Sequence, residues 1–413
     1  MRWLYNGFIY CYSILIYIVS FFNPKAKLWI NGRRNTFDSL LTFKKSTNKP
    51  IIWIHCASLG EFEQGRPLIE HIHNTLPHYS ILLTFFSPSG YEIRKDYNQA
   101  DFICYLPSDT IRHAKRFINI VNPEMAVFVK YEYWFNYMHF LQNKSIPLYV
   151  ISAIFRPNQH FFKSYGSWFA SQLKAVSYFY TQNEESVSLL KSIGINNALQ
   201  CGDTRFDRVL KIAENASSFP IIDAFCNSKS DSELWVVGSS WQPDEILLAS
   251  LLNSGINIRM IIAPHEIHSE HLNQISQYFK NFNIAFYSKT NPLDAQNADI
   301  LVIDNIGLLS QIYKYGQVAY IGGGFGSGIH NILEAAAYQI PVIFGPKYQK
   351  FDEAVYLTNA GGAFPINSSD ELLTIANKLI NDKVYYHTVA LICKQFVDEN
   401  KGSTQKIIDS IWK

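Results

Sequence analysis

Residues Val318–Asp352 read VAYIGGGFGSGIHNILEAAAYQIPVIFGPKYQKFD. A short apolar run, Val318–Ile321, ends in the loop Gly322-Gly323-Gly324-Phe325-Gly326-Ser327-Gly328, and good helix formers follow from about His330. Glycines tolerate positive φ and let backbone approach a ligand closely. A helix N-terminus beyond them offers free N–H groups and the positive end of its dipole. The stretch therefore predicts a strand, a glycine turn and a helix, arranged either as an anion site suited to phosphate or as a tight turn alone. It is not the dinucleotide fingerprint G-x-G-x-x-G, because Ser327 stands where the third glycine belongs. It is not a Walker A loop either, since no GK[ST] follows. His330 and Glu334 are spaced to share a helix face. Glu334 is placed to accept hydrogen bonds from ribose hydroxyls, or merely to complement the helix dipole.

Outward from this stretch the same rhythm repeats. Apolar runs at 234–237, 258–262, 284–287, 300–303 and 341–344 read as strands separated by helical segments. Runs at 51–54, 81–85, 102–106, 125–129 and 148–151 do the same in the first half. Strands that alternate with helices and are apolar throughout predict parallel sheets covered on both faces. The fold class is α/β, with two Rossmann-like domains facing across a cleft. The expected divisions are an anchor at 1–24, a first domain at 25–215, a linker at 216–232 rich in Ser, Asn and Asp, and a second domain at 233–413. The last helix is expected to be able to pack back on the first domain.

In the first half, the run 51–54 leads into His55-Cys56-Ala57-Ser58-Leu59-Gly60-Glu61. A carboxylate just past the carboxyl end of a strand is where an α/β enzyme places a functional group. Glu61 is thus a candidate general base, or one half of an S-x-x-E capping box with Ser58. Glu132 follows the run 125–129 in the same way, as a second acid for the same crevice or as a helix-terminal charge.

Composition narrows the class. A net charge of +2 over 413 residues gives no case for nucleic acid. The 6 cysteines show no CxxC spacing and read as reduced thiols rather than a disulfide framework. No metal-ligand cluster and no DxD loop stand out, so neither metal nor cofactor is expected. From Trp3 to Pro24 the chain carries no charge, close to the ~20 residues that span a bilayer. A cleaved signal peptide and a buried core helix are the other readings. The basic residues Lys25, Lys27, Arg33 and Arg34 that follow favour a retained membrane anchor, spanning or interfacial, with the body on the cytoplasmic side.

Taken in order, Ala57-Ser58-Leu59-Gly60-Glu61, Lys130-Tyr131-Glu132-Tyr133-Trp134, Ser152-Ala153-Ile154-Phe155-Arg156, Gly202-Asp203-Thr204-Arg205-Phe206-Asp207, Ala263-Pro264-His265-Glu266, Asp304-Asn305-Ile306-Gly307 and His330-Asn331-Ile332-Leu333-Glu334-Ala335-Ala336 resemble the 3-deoxy-D-manno-octulosonic acid (Kdo) transferases of lipopolysaccharide synthesis. The resemblance covers nearly the whole chain. It implies a GT-B fold, CMP-Kdo as donor and a lipid A precursor as acceptor. It further implies inverting, metal-independent transfer at the cytoplasmic face of the inner membrane. Carried over residue by residue, it implies catalytic roles for Glu61 and Glu132. Arg205, His265, Gly322, Gly323, Gly324, Gly326, His330, Asn331, Glu334 and Lys347 become donor contacts. Ser58, Gly60 and Arg156 become acceptor contacts. The chain departs from the family's E-x-E-x-W-P-N pattern, with Lys130 at the first acid and Phe135 at the proline. Other nucleotide-sugar enzymes with the same architecture, a lipid-directed UDP-sugar transferase or a 2-epimerase, are the enzymatic alternatives. A membrane-associated nucleotide-binding regulator is the non-enzymatic one.

Overall fold

β1 (Ile51–Cys56) is buried along its whole length, as a central strand covered on both faces must be. In the computed structural model, which describes residues 1–228 and 232–412, it lies in the middle of a seven-stranded parallel sheet. The others are β2 (Ser80–Phe85), β3 (Phe102–Tyr105), β4 (Met125–Val129), β5 (Leu148–Ala153), β6 (Tyr178–Thr181) and β7 (Ala198–Gln200). Their order is β3-β2-β1-β4-β5-β6-β7. The second sheet holds β8 (Glu233–Ser240), β9 (Ile258–Pro264), β10 (Ile284–Phe286), β11 (Ile300–Val302), β12 (Val318–Ile321), β13 (Val342–Phe344) and β14 (Ala363–Pro365). It is also parallel, in the order β10-β11-β9-β8-β12-β13-β14. Strand order reverses at β1 in one sheet and at β8 in the other. Those reversals are where doubly wound sheets open a crevice at their carboxyl edge.

The chain divides into two compact units, Met1–Asp207 with Lys401–Lys413, and Arg208–Asn400. The final helix, Ser403–Ile411, belongs to the first unit, where Ile407 and Ile408 join the core of Ile52, Ile54 and Cys56. Of the expected linker 216–232, residues Pro220–Asn227 are helical and 229–231 lie outside the described residues.

The uncharged N-terminal stretch does not form a membrane span. Among the described residues no helix is long and apolar enough to cross a membrane. The first helix, Arg2–Val19, stops before Pro24, and Asn23 caps a new helix, Pro24–Asn31, through the N–H groups of Lys25 and Ala26. One face of the first helix is docked on the body. Ile9 is buried, and the Tyr5 ring lies 5.0 Å from Phe135. The Tyr5 hydroxyl donates to Asp109 at 2.5 Å, and Asp109 also accepts the N–H groups of Asn136 and Tyr137. The rest of its surface stays apolar and open, with Trp3, Phe8, Ile14 and Leu15 exposed, as are Phe21 and Phe22 just beyond its end. Arg33 does not face a leaflet. Its guanidinium is buried over Trp29 at 3.7 Å and donates to the carbonyls of Trp29, Phe86 and Leu106. Burial pulls it down to about 9.

Docking through a buried hydrogen bond gives a stability prediction. Tyr5→Phe removes one donor from Asp109 and is expected to cost about 1–3 kcal/mol. Leu15→Ser, on the open face, is expected to stay within about 0.5 kcal/mol of the parent. Urea unfolding of the full chain separates the two.

Candidate active site

Two carboxylates stand at the reversal of the first sheet. Glu61 lies in the first turn of helix Leu59–Thr75, five residues past the end of β1. Ser58 is the N-cap residue, but its hydroxyl does not close the expected capping box. It donates instead to the Glu61 carboxylate. Glu132 follows β4 across Lys130, whose φ of 68° is a conformation that L side chains rarely adopt. Both acids act on one buried group. The Cys56 thiol is pushed well up by burial first and then by the charges of Glu61 and Glu132. Gly60 needs no glycine for space, since a Cβ there would meet only the Ser58 hydroxyl at 3.7 Å.

Residues not singled out from sequence fix Glu132. Trp134 Nε1 donates to Glu132 Oε2 at 2.7 Å and to His55 Nε2 at 3.0 Å. His55, fully buried, sits with Nε2 3.3 Å from the same carboxylate oxygen. Its Nδ1 lies 3.1 Å from the Thr84 carbonyl, which can only accept, so Nδ1 carries a proton. The sequence signal for His55 was a polar residue in an otherwise apolar buried strand. Arg156, three residues past β5, is exposed and shares a cavity wall with Tyr131 and Tyr133. Arg205 sits in the first unit, whereas the other expected donor residues are in the second. Its guanidinium is held by Asp203 at 2.8 and 2.9 Å, and Gln64 donates to Asp203 as well. Burial pushes the Asp203 carboxyl up, but the Arg205 charge and these bonds outweigh it and hold it below its ordinary value.

In the second unit the glycine loop follows β12, beside the end of β8. Gly322 is required by packing: a Cβ would lie 2.2 Å from the Ser239 carbonyl. Gly324 is required likewise, with Gly345 Cα at 2.6 Å, and Gly323 has φ of 91°. Gly326 is under no such constraint. Asp244 ties the loop to the helix after β8, accepting from Gly323 N–H at 3.0 Å and from the Tyr320 hydroxyl at 2.9 Å. Lys347 pins the far side, donating its ammonium to the Gly326 carbonyl and its N–H to the Gly324 carbonyl. The N–H groups of Gly324 and Phe325 have no protein acceptor among the described residues.

The helix expected from His330 is shorter. It spans Leu333–Ala336, a single turn. Asn331 is the reason, since its Oδ1 accepts the Leu333 N–H while the His330 N–H turns back to the Gly322 carbonyl. Side chains used this way compete with helical backbone bonds. Asn331 Nδ2 also donates to Glu334 at 3.1 Å. Burial raises the Glu334 carboxyl, partly offset by the Arg208 charge. His265 is sandwiched between the Trp241 and His330 rings, 4.5 Å from each. Trp241 Nε1 donates to His330 Nε2 at 3.1 Å, so that nitrogen is unprotonated and His330 is a neutral Nδ1–H donor rather than a cation.

Burial and the neighbouring His265 push His330 down to about 4. An unfolded chain takes up that proton near pH 6.5. The contribution is therefore complete above pH 6.5 and is lost as pH falls towards 4. In His330→Gln, the stability lost between pH 6.5 and 4 is expected to shrink by about 1–3 kcal/mol. Urea unfolding at a series of pH values measures that slope, whatever the variant's stability at neutral pH.

With this geometry in place, comparison with known proteins is informative. Residues 34–208 match the family profile described as 3-deoxy-D-manno-octulosonic-acid transferase (kdotransferase). The 3-deoxy-D-manno-octulosonic acid transferase of Haemophilus influenzae is 28% identical over 371 residues, covering 87% of this chain and 86% of the relative. That of Aquifex aeolicus is 26% identical, covering 81% and 87%. Among solved structures, the UDP-GlcNAc 2-epimerase of Neisseria meningitidis superposes with a TM-score of 0.61 at 14% identity, over 88% of this chain and 99% of that one. A glycosyltransferase of Rickettsia africae gives 0.53 at 12%, over 88% and 98%. These two likenesses concern the fold, two parallel-sheet α/β domains of GT-B type. The sequence matches run through both units, and on them the chain is similar to the 3-deoxy-D-manno-octulosonic acid transferases.

Proposed function

We propose that the chain transfers Kdo from CMP-Kdo to a lipid A precursor in lipopolysaccharide synthesis, with Glu61 as general base. The observation that carries the base assignment is the pair Glu61 and Glu132 at the reversal of the first sheet, both acting on Cys56. Glu61 takes the proton of an acceptor hydroxyl, exchanging its Ser58 contact for that hydroxyl. The oxygen attacks the anomeric carbon of Kdo opposite the leaving CMP, so configuration inverts. The transition state is oxocarbenium-like, by analogy with glycoside chemistry. The departing phosphate is met by the unused N–H groups of Gly324 and Phe325, by the cations Arg205 and Lys347, and by His265 as a further donor. His330 contributes a neutral Nδ1–H. Glu334, oriented by Asn331, accepts from the ribose hydroxyls. Glu132 orients the acceptor, and Ser58, Gly60 and Arg156 contact it. The open apolar face of helix Arg2–Val19 lies in the membrane interface on the cytoplasmic side of the inner membrane, as an amphipathic helix does.

The test is the purified full chain with CMP-Kdo and a lipid A precursor, read by mass spectrometry. Glu61→Gln is expected to lower turnover by 100-fold or more while calorimetric CMP affinity is kept. Glu334→Ala is expected to weaken CMP binding by about tenfold, the equivalent of one hydrogen bond to a charged group. Near-normal turnover in Glu61→Gln removes it as the base. Tight UDP binding with none for CMP replaces the donor.

A further inference from the structure

The first unit contains a cavity of 780 Å³ that the transfer chemistry does not use. It is bounded by the N-terminal helix through Leu4, Tyr5 and Phe8, and by Phe161 and Trp168. Tyr131 and Tyr133, on either side of Glu132, complete the wall. The size suits a small-molecule site. The lining does not suit a sugar or a nucleotide, which need polar partners on several sides. Here the polar side chains other than tyrosine come from a single loop, Arg156 to His160, and so sit at one margin. Aromatic and aliphatic walls with one polar margin fit a hydrocarbon chain with a polar head. Each CH₂ withdrawn from water contributes about 0.8 kcal/mol.

Two further observations specify the occupant. Tyr133 is packed between Phe155 and Phe161, and its buried hydroxyl has no hydrogen-bond partner. A buried hydroxyl in that state calls for an acceptor, which an ester or amide carbonyl at the head of an acyl chain would supply. The cavity is also continuous with the open apolar face of the N-terminal helix, since Phe8 lines the cavity and is itself 65% exposed. A chain can thus enter from an apolar surface rather than through water. We propose that this cavity seats one acyl chain of the glycolipid acceptor, with Arg156 at its mouth meeting an anionic group of the headgroup. Arginine suits such a group through paired, charge-assisted hydrogen bonds. The inference rests on the transferase reading above and adds to it the part of the acceptor that is recognised. Because Tyr131 and Tyr133 flank Glu132, a chain seated there brings its headgroup beside that acid.

The test uses the full chain and 9,10-dibromostearic acid, whose bromines quench nearby tryptophan fluorescence. Trp168 lines the cavity, whereas Trp3 does not and is 74% exposed. Saturable quenching is expected in the parent, with most of it lost in Trp168→Phe and kept in Trp3→Phe. Quenching lost in Trp3→Phe but kept in Trp168→Phe means surface adsorption and overturns the proposal, as does the absence of saturation. A second measurement ties the chain to the acceptor. Leu4→Glu puts a charge on the cavity wall and is expected to raise tenfold or more the ratio of KM for an acylated acceptor to KM for its deacylated headgroup. Leu293→Glu, exposed in the second unit and outside the lining, is expected to leave that ratio unchanged. Equal ratios in the two variants overturn the assignment to the acceptor. A parent chain that shows Trp168-dependent quenching but transfers Kdo to neither acceptor keeps the cavity and defeats the transferase reading.

Discussion

The side chains of β1 face two different helices, and the edge that carries the candidate site depends on that division. Ile52, Ile54 and Cys56 pack with Phe62, Leu68, Ile69 and Ile72 of helix Leu59–Thr75. Ile51 and Trp53 pack in the other core with Phe135, Tyr137, Met138 and Leu141 of helix Phe135–Asn143. Because the helix after β1 and the helix after β4 cover opposite faces, the two chain segments leaving these neighbouring strands diverge. That divergence puts Glu61 and Glu132 at the edge of the sheet instead of in its core. Each fully buried large apolar side chain in the two layers contributes about 1.5–3 kcal/mol. The position of the acids is therefore held by the most stable part of the unit, as a preorganised site requires.

The two acids are held differently, and the difference supports the division of work proposed for them. Glu132 Oε2 is gripped by Trp134 Nε1, two residues on, and lies beside a His55 ring fixed in its own strand. His55 is itself locked through Nδ1 to Thr84, which also accepts from Trp53 at 2.8 Å. Moving Glu132 would break a chain of buried polar contacts, and such groups are costly to leave unpaired. Glu61 has only Ser58, within its own helical turn. A local hydroxyl is easily exchanged for a substrate hydroxyl. A fixed acid suits orientation and a releasable one suits proton transfer, which is why the base is placed on Glu61.

Much of this was legible in sequence for physical reasons. Long apolar strands such as 125–129 and 318–321 announce themselves because burial on both faces removes polar residues from them. β6, β7 and β14 escaped notice because they are short edge-side strands, and β7 has two exposed residues out of three. The acids at strand ends were visible because carboxylates are conspicuous beside apolar runs. His55, Trp134, Trp241 and Asp244 were not, because their value is positional: each acts by touching a residue far away or around a turn. The spanning option for the N-terminal anchor fails because absence of charge is not apolarity. Tyr5 and Asn6 instead supply hydrogen bonds that dock one helical face, Asn6 accepting from Asn136 at 2.8 Å.

The glycine loop shows how one pattern can have two causes. Gly322 and Gly324 are required by neighbouring backbone, at Ser239 and Gly345, before any ligand is considered. The helix beyond them is one turn, too short to build a dipole of consequence. The anion binding proposed here therefore rests on the loop itself. Close packing of Gly322 and Gly324 forces the backbone into a fixed curve, Asp244 and Lys347 hold its two sides, and the N–H groups of Gly324 and Phe325 are left over. Fixed N–H groups in a concave turn make an anion site without a helix. In the proposed site the glycines thus act indirectly, by permitting the loop-to-loop packing that leaves those two donors unused.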